Sequence, residues 1–588
     1  MKKIMSGNEA LAYGAYLAGI KVGAGYPGTP STEVLENFAL YPGVYAEWSP
    51  NEKVALEVAI GAAYAGGRAM ATMKHVGLNV AADPLFTVSY TGTEGALVII
   101  NADDPGQHSS QNEQDNRHYA RAAKVAMLEP SDSEEAKHFV ELAVEISQMF
   151  DTPVILRTTT RLSHSKCIVT LEEEPVKVET EPVAYVRNPA KYNMVPAYSR
   201  HRHPVVEERI KRLSEYADTT PINYIEPGGS EIGVIASGVN YHYAREVFPD
   251  ATFLKLGMVY PLPERLIRDL ASRVKQVVVV EELDPFIEEQ VRMLGIQVKG
   301  KDVFPMIGEF SQSNVRKWAA AAGLIPDESA VTVTQPPQLP VRPPLLCPGC
   351  AHRPIFYALQ RLRVAVFGDI GCYSLGVVPP LDSMHTLVCM GASIGNVHGA
   401  DKVKLRDRTV AVIGDSTFFH SGITPLINLI SNDGNSTIIV VDNRITAMTG
   451  HQPHPGTGRT LMGKEVPNVS IDALARAIGI KKVDVVNPYD FRTLMDTIKE
   501  HIKSNEPSVI VSQYPCVLHI REKKPVPLTD RDACNECGNC LRIGCSPISK
   551  ADGGIVIDSG LCSGCGFCAS VCNQGAIKVQ TVEGGGQN

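Results

Sequence analysis

The chain has 588 residues, 44% hydrophobic and 20% charged, an ordinary globular composition that can bury several cores. Its net charge of −8, with no long basic run, gives nucleic-acid binding no electrostatic support, and no stretch of 18 or more apolar residues offers a membrane span. Eight of the 14 cysteines fall between Cys534 and Cys572, which in a chain of this size argues for metal rather than a disulfide scaffold.

In chain order, Glu9 and the Gly-rich segment Tyr26–Pro30 interrupt any secretory apolar region, and the chain reads as cytoplasmic. Residues 1–165 alternate helices and strands, with a helix over Val54–Tyr64 and strands over Ala96–Ile100 and Pro153–Arg157, so a parallel α/β sheet is expected. A connecting segment rich in Pro, Glu, Lys and Arg spans 166–225. A second α/β domain covers 226–330, with strands over Ile232–Ala236, Thr252–Lys255 and Gln276–Glu281. Five prolines in Thr334–Pro344 mark a linker over 331–344. A third α/β domain covers 345–525, with strands over Val364–Phe367, Thr409–Ile413 and Thr437–Val441. The cysteine-rich domain spans 526–580, and the Gly-rich tail 581–588 reads as disordered.

The strongest motif is Cys534-x2-Cys537-x2-Cys540-x4-Cys545, followed by Cys562-x2-Cys565-x2-Cys568-x3-Cys572. Thiolates at x2 spacing let one loop wrap three irons of a cubane, and the fourth cysteine of each run reaches the other cluster. One [4Fe-4S] cluster then takes Cys534, Cys537, Cys540 and Cys572, and the other takes Cys562, Cys565, Cys568 and Cys545. Gly538, Ser563, Gly564 and Gly566 permit the turns. Paired zinc knuckles are the alternative, but successive triples with a distant fourth ligand suit zinc poorly.

A second motif is Gly414-Asp415-Ser416, with Asp442-Asn443 closing the next strand. A magnesium diphosphate needs a carboxylate and a carbonyl oxygen at the C-terminal edge of a parallel sheet, with helix N-termini for the phosphates. Asp415 and Asn443 fit that need, and the Ile445 carbonyl offers a third Mg2+ ligand. The plain alternative is an ordinary strand-to-helix turn. Upstream stand Cys347-Pro-Gly-Cys350-Ala-His352, then Gly368-Asp369-Ile370-Gly371-Cys372-Tyr373-Ser374, then Met390-Gly391-Ala392-Ser393. Nearer the N-terminus, Tyr26–Ser31 forms a Pro-flanked turn, and Glu47, Glu52 and Glu57 lie around an Ala-rich helix. Activating thiamine requires a buried glutamate beside the aminopyrimidine.

These motifs, in this order, resemble the 2-oxoacid:ferredoxin oxidoreductases over almost the whole chain, and the tail resembles the dicluster bacterial ferredoxins. The fold implied is α/β: three thiamine-enzyme-type parallel-sheet domains plus a C-terminal α+β dicluster ferredoxin domain. The resemblance makes Glu52 the activating glutamate, with Glu57 as rival, and places the Thr29 hydroxyl against the substrate carboxylate, with Thr32 a weaker option. Gly371, Cys372, Tyr373, Ser374, Gly391, Gly414 and Ser416 then line the thiamine diphosphate. The GDG-to-NN pattern of thiamine enzymes is altered at Ser416 and Asp442, while its metal-binding positions survive. In the pyruvate enzymes a cluster close to thiamine is held by cysteines in the order of Cys347, Cys350, Cys372 and Cys516, which implies a third cluster here. The alternative is four buried apolar thiols.

Lys74–Asn79 and Asp103–Asp115 most resemble the indolepyruvate branch, which makes His75 and His108 candidates to meet the substrate. The implied activity is oxidative decarboxylation of arylpyruvates to arylacetyl-CoA and CO2, with coenzyme A as co-substrate and ferredoxin as electron acceptor. A smaller β subunit carrying the γ-type domain and a dimer of heterodimers are implied as well. The rival activities are non-oxidative decarboxylation and electron transfer without carbon chemistry.

Overall fold

A computed structural model describes residues 1–171, 187–326, 339–340, 342–403, 408–520, 524–552 and 554–579. The expected tail at 581–588, most of the expected linker and residues 172–186 of the connecting segment lie outside these. The chain divides into two compact units, Met1–Pro336 and Pro337–Asn588.

The first unit holds a seven-stranded sheet in the order Met258–Tyr260, Ala126–Leu128, Val154–Thr159, Ala96–Asp103, Arg68–Lys74, Val22–Gly25, Tyr45–Trp48. All neighbours are parallel except the first pair. Ala96–Asp103 and Val154–Thr159 are buried along their whole length, as expected of strands covered on both faces. The helix Ser133–Phe150 shows how its flanking layer forms. The Asp132 side chain caps it by accepting from Glu135 N, and Ala136, Phe139, Val140, Ala143 and Val144 bury one stripe.

A second sheet runs Val298–Lys299, Gln276–Val280, Gly229–Ser237, Ala251–Leu256, Tyr224–Glu226, parallel apart from the last pair. The two sheets are not separate bodies. Ile99 and Met127 of the first share one apolar core with Ile235 and Leu254 of the second and with Phe286, which opens the helix Phe286–Met293. The strand Met258–Tyr260, from the segment expected to form its own domain, instead closes the edge of the first sheet. Buried charges also tie them. Arg117 donates to Asp115 and to Glu281, and Arg157 binds Asp103 and Glu129. Glu282 accepts from Phe310 N and Asn240 Nδ2.

The second unit holds a five-stranded parallel sheet, Ala365–Phe367, Thr409–Gly414, Thr437–Asp442, Ser508–Gln513, Lys482–Val486. The cysteine-rich segment adds two antiparallel pairs, Leu528–Thr529 with Ile577–Lys578 and Ile548–Ala551 with Gly554–Ile557. It packs onto the α/β part through Phe567, which meets Tyr357 and Phe491 edge-on. Buried Arg353 fastens the join by donating to the carbonyls of Ile543, Gly544, Leu346 and Cys347.

Candidate functional site

In the first unit the site lies at the C-terminal edge of the parallel strands, where open α/β sheets bind ligands. Glu52 opens the helix Glu52–Tyr64, whose N-terminus is set by the Asn51 side chain accepting from Val54 N. Glu52 is buried, whereas Glu57 is exposed and Glu47 is taken by Tyr45 and Ser49. A side chain at Gly77 would come within 2.7 Å of the Glu52 carboxylate, so the glycine in Lys74–Asn79 is what lets this glutamate lie there. Among the three candidates, only Glu52 has the burial that activating an aminopyrimidine requires.

Thr29 is half-buried, and its carbonyl accepts from Ser109 Oγ at 3.3 Å. Thr32 is buried, and its hydroxyl reaches no hydrogen-bond partner among the described residues. Asp104 shapes the following loop by accepting from Ser109 N, Ser110 Oγ and Thr160 Oγ1. Burial pushes its carboxyl up, but these donors hold it below the usual carboxylate range.

The two histidine candidates for the substrate stand in different surroundings. His75 is fully buried, and its Nε2 lies 3.1 Å from the Asn112 carbonyl. Burial pushes its pKa down to about 4, so it is a neutral ring packed under the loop. His108 is exposed and pairs with Glu309 at 3.2 Å.

In the second unit Asp415 and Asp442–Asn443 follow adjacent parallel strands, with Gly414 opposite Val441. A Cβ at Gly414 would lie 2.5 Å from the Tyr373 ring. Tyr373 is buried, with its hydroxyl on the Ile370 carbonyl, so it packs beneath the turn instead of presenting itself to a ligand. Gly391 takes a left-handed φ of +87°, and its N–H, with that of Ser393, donates to Asp369. That tether joins the Gly371–Ser374 turn to the start of the helix Ala392–Lys402.

The Asp415 carboxylate accepts from Ser416 N and lies 3.0 Å from His454 Nε2, both groups being buried. Burial pushes Asp415 up, but His454 together with hydrogen bonds from Asp442 and Ser416 makes the net shift downward. Asp442 beside it is pushed up by burial and by Asp415. Asn443 Oδ1 accepts from Ile445 N. Asp415 and the Asn443 amide oxygen thus stand at neighbouring strand ends, and oxygen donors of this kind suit a hard divalent cation carrying a diphosphate. His454, 39 residues beyond Asp415, has no signal in the motif and is found only through the fold.

The cysteines gather into three sets. Cys534, Cys537, Cys540 and Cys572 line one cavity. Cys545, Cys562, Cys565 and Cys568 line a second, with Cys350. Cys347, Cys350, Cys372 and Cys516 line a third, with His352, His451 and Asn443. This third set adjoins the diphosphate edge, because Cys516 N donates to the Asn443 carbonyl and His352 Nε2 lies 3.5 Å from Asn443 Nδ2. His451 holds a left-handed φ of +68° with its Nε2 3.9 Å from Cys516 Sγ.

Burial pushes the Cys350 and Cys568 thiols up to about 12 and Cys372 to about 11. Their thiolates therefore need a bound cation's charge. Among the described residues no three thiols lie within 4.8 Å of one another. Tetrahedral zinc, with Zn–S of about 2.3 Å, requires sulfurs about 3.8 Å apart. The sets are too open for one zinc ion and suit a larger inorganic core.

Residues 13–219 match the family pyruvate flavodoxin/ferredoxin oxidoreductase, thiamine diP-bdg. Residues 369–512 match thiamine pyrophosphate enzyme, C-terminal TPP binding domain, and 555–578 match the 4Fe-4S binding domain. Indolepyruvate oxidoreductase subunit IorA of Archaeoglobus fulgidus is 42% identical over 98% of this chain and 97% of its own length. The protein of that name from Pyrococcus horikoshii is 40% identical over 98% and 97%. The chain belongs to this family. It is part of a ferredoxin-linked 2-oxoacid oxidoreductase of the thiamine diphosphate and 4Fe-4S type. A 2-oxoglutarate:ferredoxin oxidoreductase from Magnetococcus marinus is similar over 54% of this chain and 65% of that one, at 16% identity and a TM-score of 0.46. Among the described residues no helix is long and apolar enough to cross a membrane.

Proposed function

We propose that this chain is the large subunit of an enzyme that oxidatively decarboxylates indolepyruvate and other arylpyruvates to arylacetyl-CoA and CO2, passing the electrons to ferredoxin. Its partners are a smaller β subunit with the γ-type domain and ferredoxin, in a cytoplasmic dimer of heterodimers. Bound thiamine diphosphate supplies the electron sink for carbon–carbon cleavage. Glu52 hydrogen-bonds its aminopyrimidine, Thr29 faces the substrate carboxylate, and Asp415, Asn443 and the Ile445 carbonyl hold Mg2+ for the diphosphate. The three thiol sets hold three [4Fe-4S] clusters.

One observation carries this reading: the Cys347/Cys350/Cys372/Cys516 cavity shares Asn443 with the diphosphate edge and Cys350 with the next thiol cavity. Electrons leaving the carbon chemistry therefore meet thiol-lined sites at once. The test is an anaerobic assay of the complex with thiamine diphosphate, Mg2+, coenzyme A and indolepyruvate, following viologen reduction. Reduction that requires coenzyme A supports the reading. Aldehyde without reduction would replace it with simple decarboxylation, and no turnover of any 2-oxoacid would leave an electron carrier alone. Iron counting on the same sample decides cluster number, since three cubanes hold about twelve irons and two hold about eight.

A further inference from the structure

Burial keeps His75 neutral and His108 pairs with Glu309, so neither histidine is assigned as the cation for the substrate carboxylate in the first unit. We infer that Lys74 is that cation, an ammonium that pairs with the carboxylate of the 2-oxoacid beside the Thr29 turn. The inference rests on the function proposed above and names the binding residue for its substrate class.

Lys74 ends the strand Arg68–Lys74, between Val22–Gly25 and Ala96–Asp103. The turn Tyr26–Pro30 follows the first neighbour, and the Asp104 loop follows the second. Lys74 thus stands between the residues expected to meet substrate and the loop that covers them. Its side chain is 9% exposed, rare for a lysine without a partner that compensates its charge. One of its three donors is used, on the Ser109 carbonyl at 3.0 Å. The same Ser109 donates its hydroxyl to the Thr29 carbonyl, so amine and turn are bound to one residue.

Gly28 clears the way for the stem: a Cβ there would lie 3.2 Å from Lys74 Cγ and Cδ. Burial lowers the amine's pKa, while Asp104 and Glu52 act to keep it charged. The ammonium is thus held out of water with a single hydrogen bond, to the Ser109 carbonyl. A carboxylate arriving beside the Thr29 turn can take the amine's remaining donors. The arrangement selects an acid over the corresponding aldehyde or amide.

The test uses the complex with its partner subunit, loaded with cofactor and iron. In Lys74→Met the KM for the arylpyruvate should rise about tenfold or more, the lower range for losing a hydrogen bond to a charged group. The fall in kcat should be smaller, thiamine diphosphate affinity and iron content should stay at the wild-type level, and Lys74→Arg should recover part of the KM. Lys74→Gln serves as the second variant should Met fail to fold. An unchanged KM, or a KM that rises in step with loss of thiamine diphosphate affinity, would overturn the assignment and leave Lys74 a structural partner of Asp104. A wild-type complex that turns over no 2-oxoacid would instead sink the proposed function, and this inference with it.

Discussion

The two units handle buried polarity in opposite ways. In Met1–Pro336 buried charges are paired within the protein, as in Asp115–Arg117–Glu281 and Asp103–Arg157–Glu129. In Pro337–Asn588 Asp415 and Asp442 are likewise met by His454 and Arg444, whereas the thiol sets line cavities of their own. A like-charged or easily ionised cluster without counterions is costly when buried. The first unit thus answers these buried charges itself, with Lys74 left for substrate, while the second gathers thiols whose ionisation needs a bound inorganic group. The contrast teaches that cofactor demand is readable as unpaired buried chemistry.

The comparison can be attacked first at its most sensitive point. Glu52→Gln should lower turnover by about a hundredfold or more, the usual range for loss of a positioned acid–base group. Iron content should be untouched, because the residue belongs to the unit without clusters. A parallel steady-state and iron measurement checks both halves, and wild-type turnover would return the role to another glutamate. Cys562→Ser attacks the other side. Viologen reduction should fall to background while carbon dioxide release from a single turnover persists, and iron should drop by about four atoms per chain. Loss of both activities would mean that the thiol site is needed for folding of the α/β part.

The third test concerns the join inside the second unit. Arg353→Met removes the donor shared by four carbonyls and should cost about 3 kcal/mol. A urea titration followed by cluster absorbance reads that loss as an earlier midpoint. A melt indistinguishable from wild type would show that apolar packing of Phe567 alone holds the tail.

The smallest effect is a pH dependence in the first unit. Burial raises the Glu282 carboxyl from 4.5 to about 7. A raised carboxyl favours the protonated form in the fold, so its stabilisation is full below pH 4.5 and fades as the pH rises through about 7. Glu282→Gln should flatten that slope, with its gain over wild type greatest near neutral pH. The amide can also donate to Asn240 Oδ1, which has no partner among the described residues. Urea melts at acid and neutral pH measure the difference, and parallel curves for the two proteins would refute it.

Much of the fold is legible in the sequence because it is written locally. Parallel strands such as Thr437–Asp442 are unbroken apolar runs, and the paired thiol runs have a spacing that few other chemistries need. Asp415 and Asn443 are legible for the same reason, each closing an apolar run at a turn. What escapes the sequence depends on where loops travel. His75 and His108 look alike as loop histidines, yet one is sealed under Asn112 and the other faces Glu309. His454 reaches Asp415 across 39 positions, and Lys74 reaches Ser109 across 35. The merging of the first two sheets is equally hidden, since the strand that joins them, Met258–Tyr260, is only three residues long.

Cys350 is a wall of two cavities at once, and it belongs by position to a short loop whose Gly349 carbonyl accepts from the Tyr489 hydroxyl. On the function proposed above, electrons leaving the thiamine would meet that junction first. Capping this one sulfur would act as a cut wire: carbon chemistry on one side, storage sites on the other, and no traffic between them.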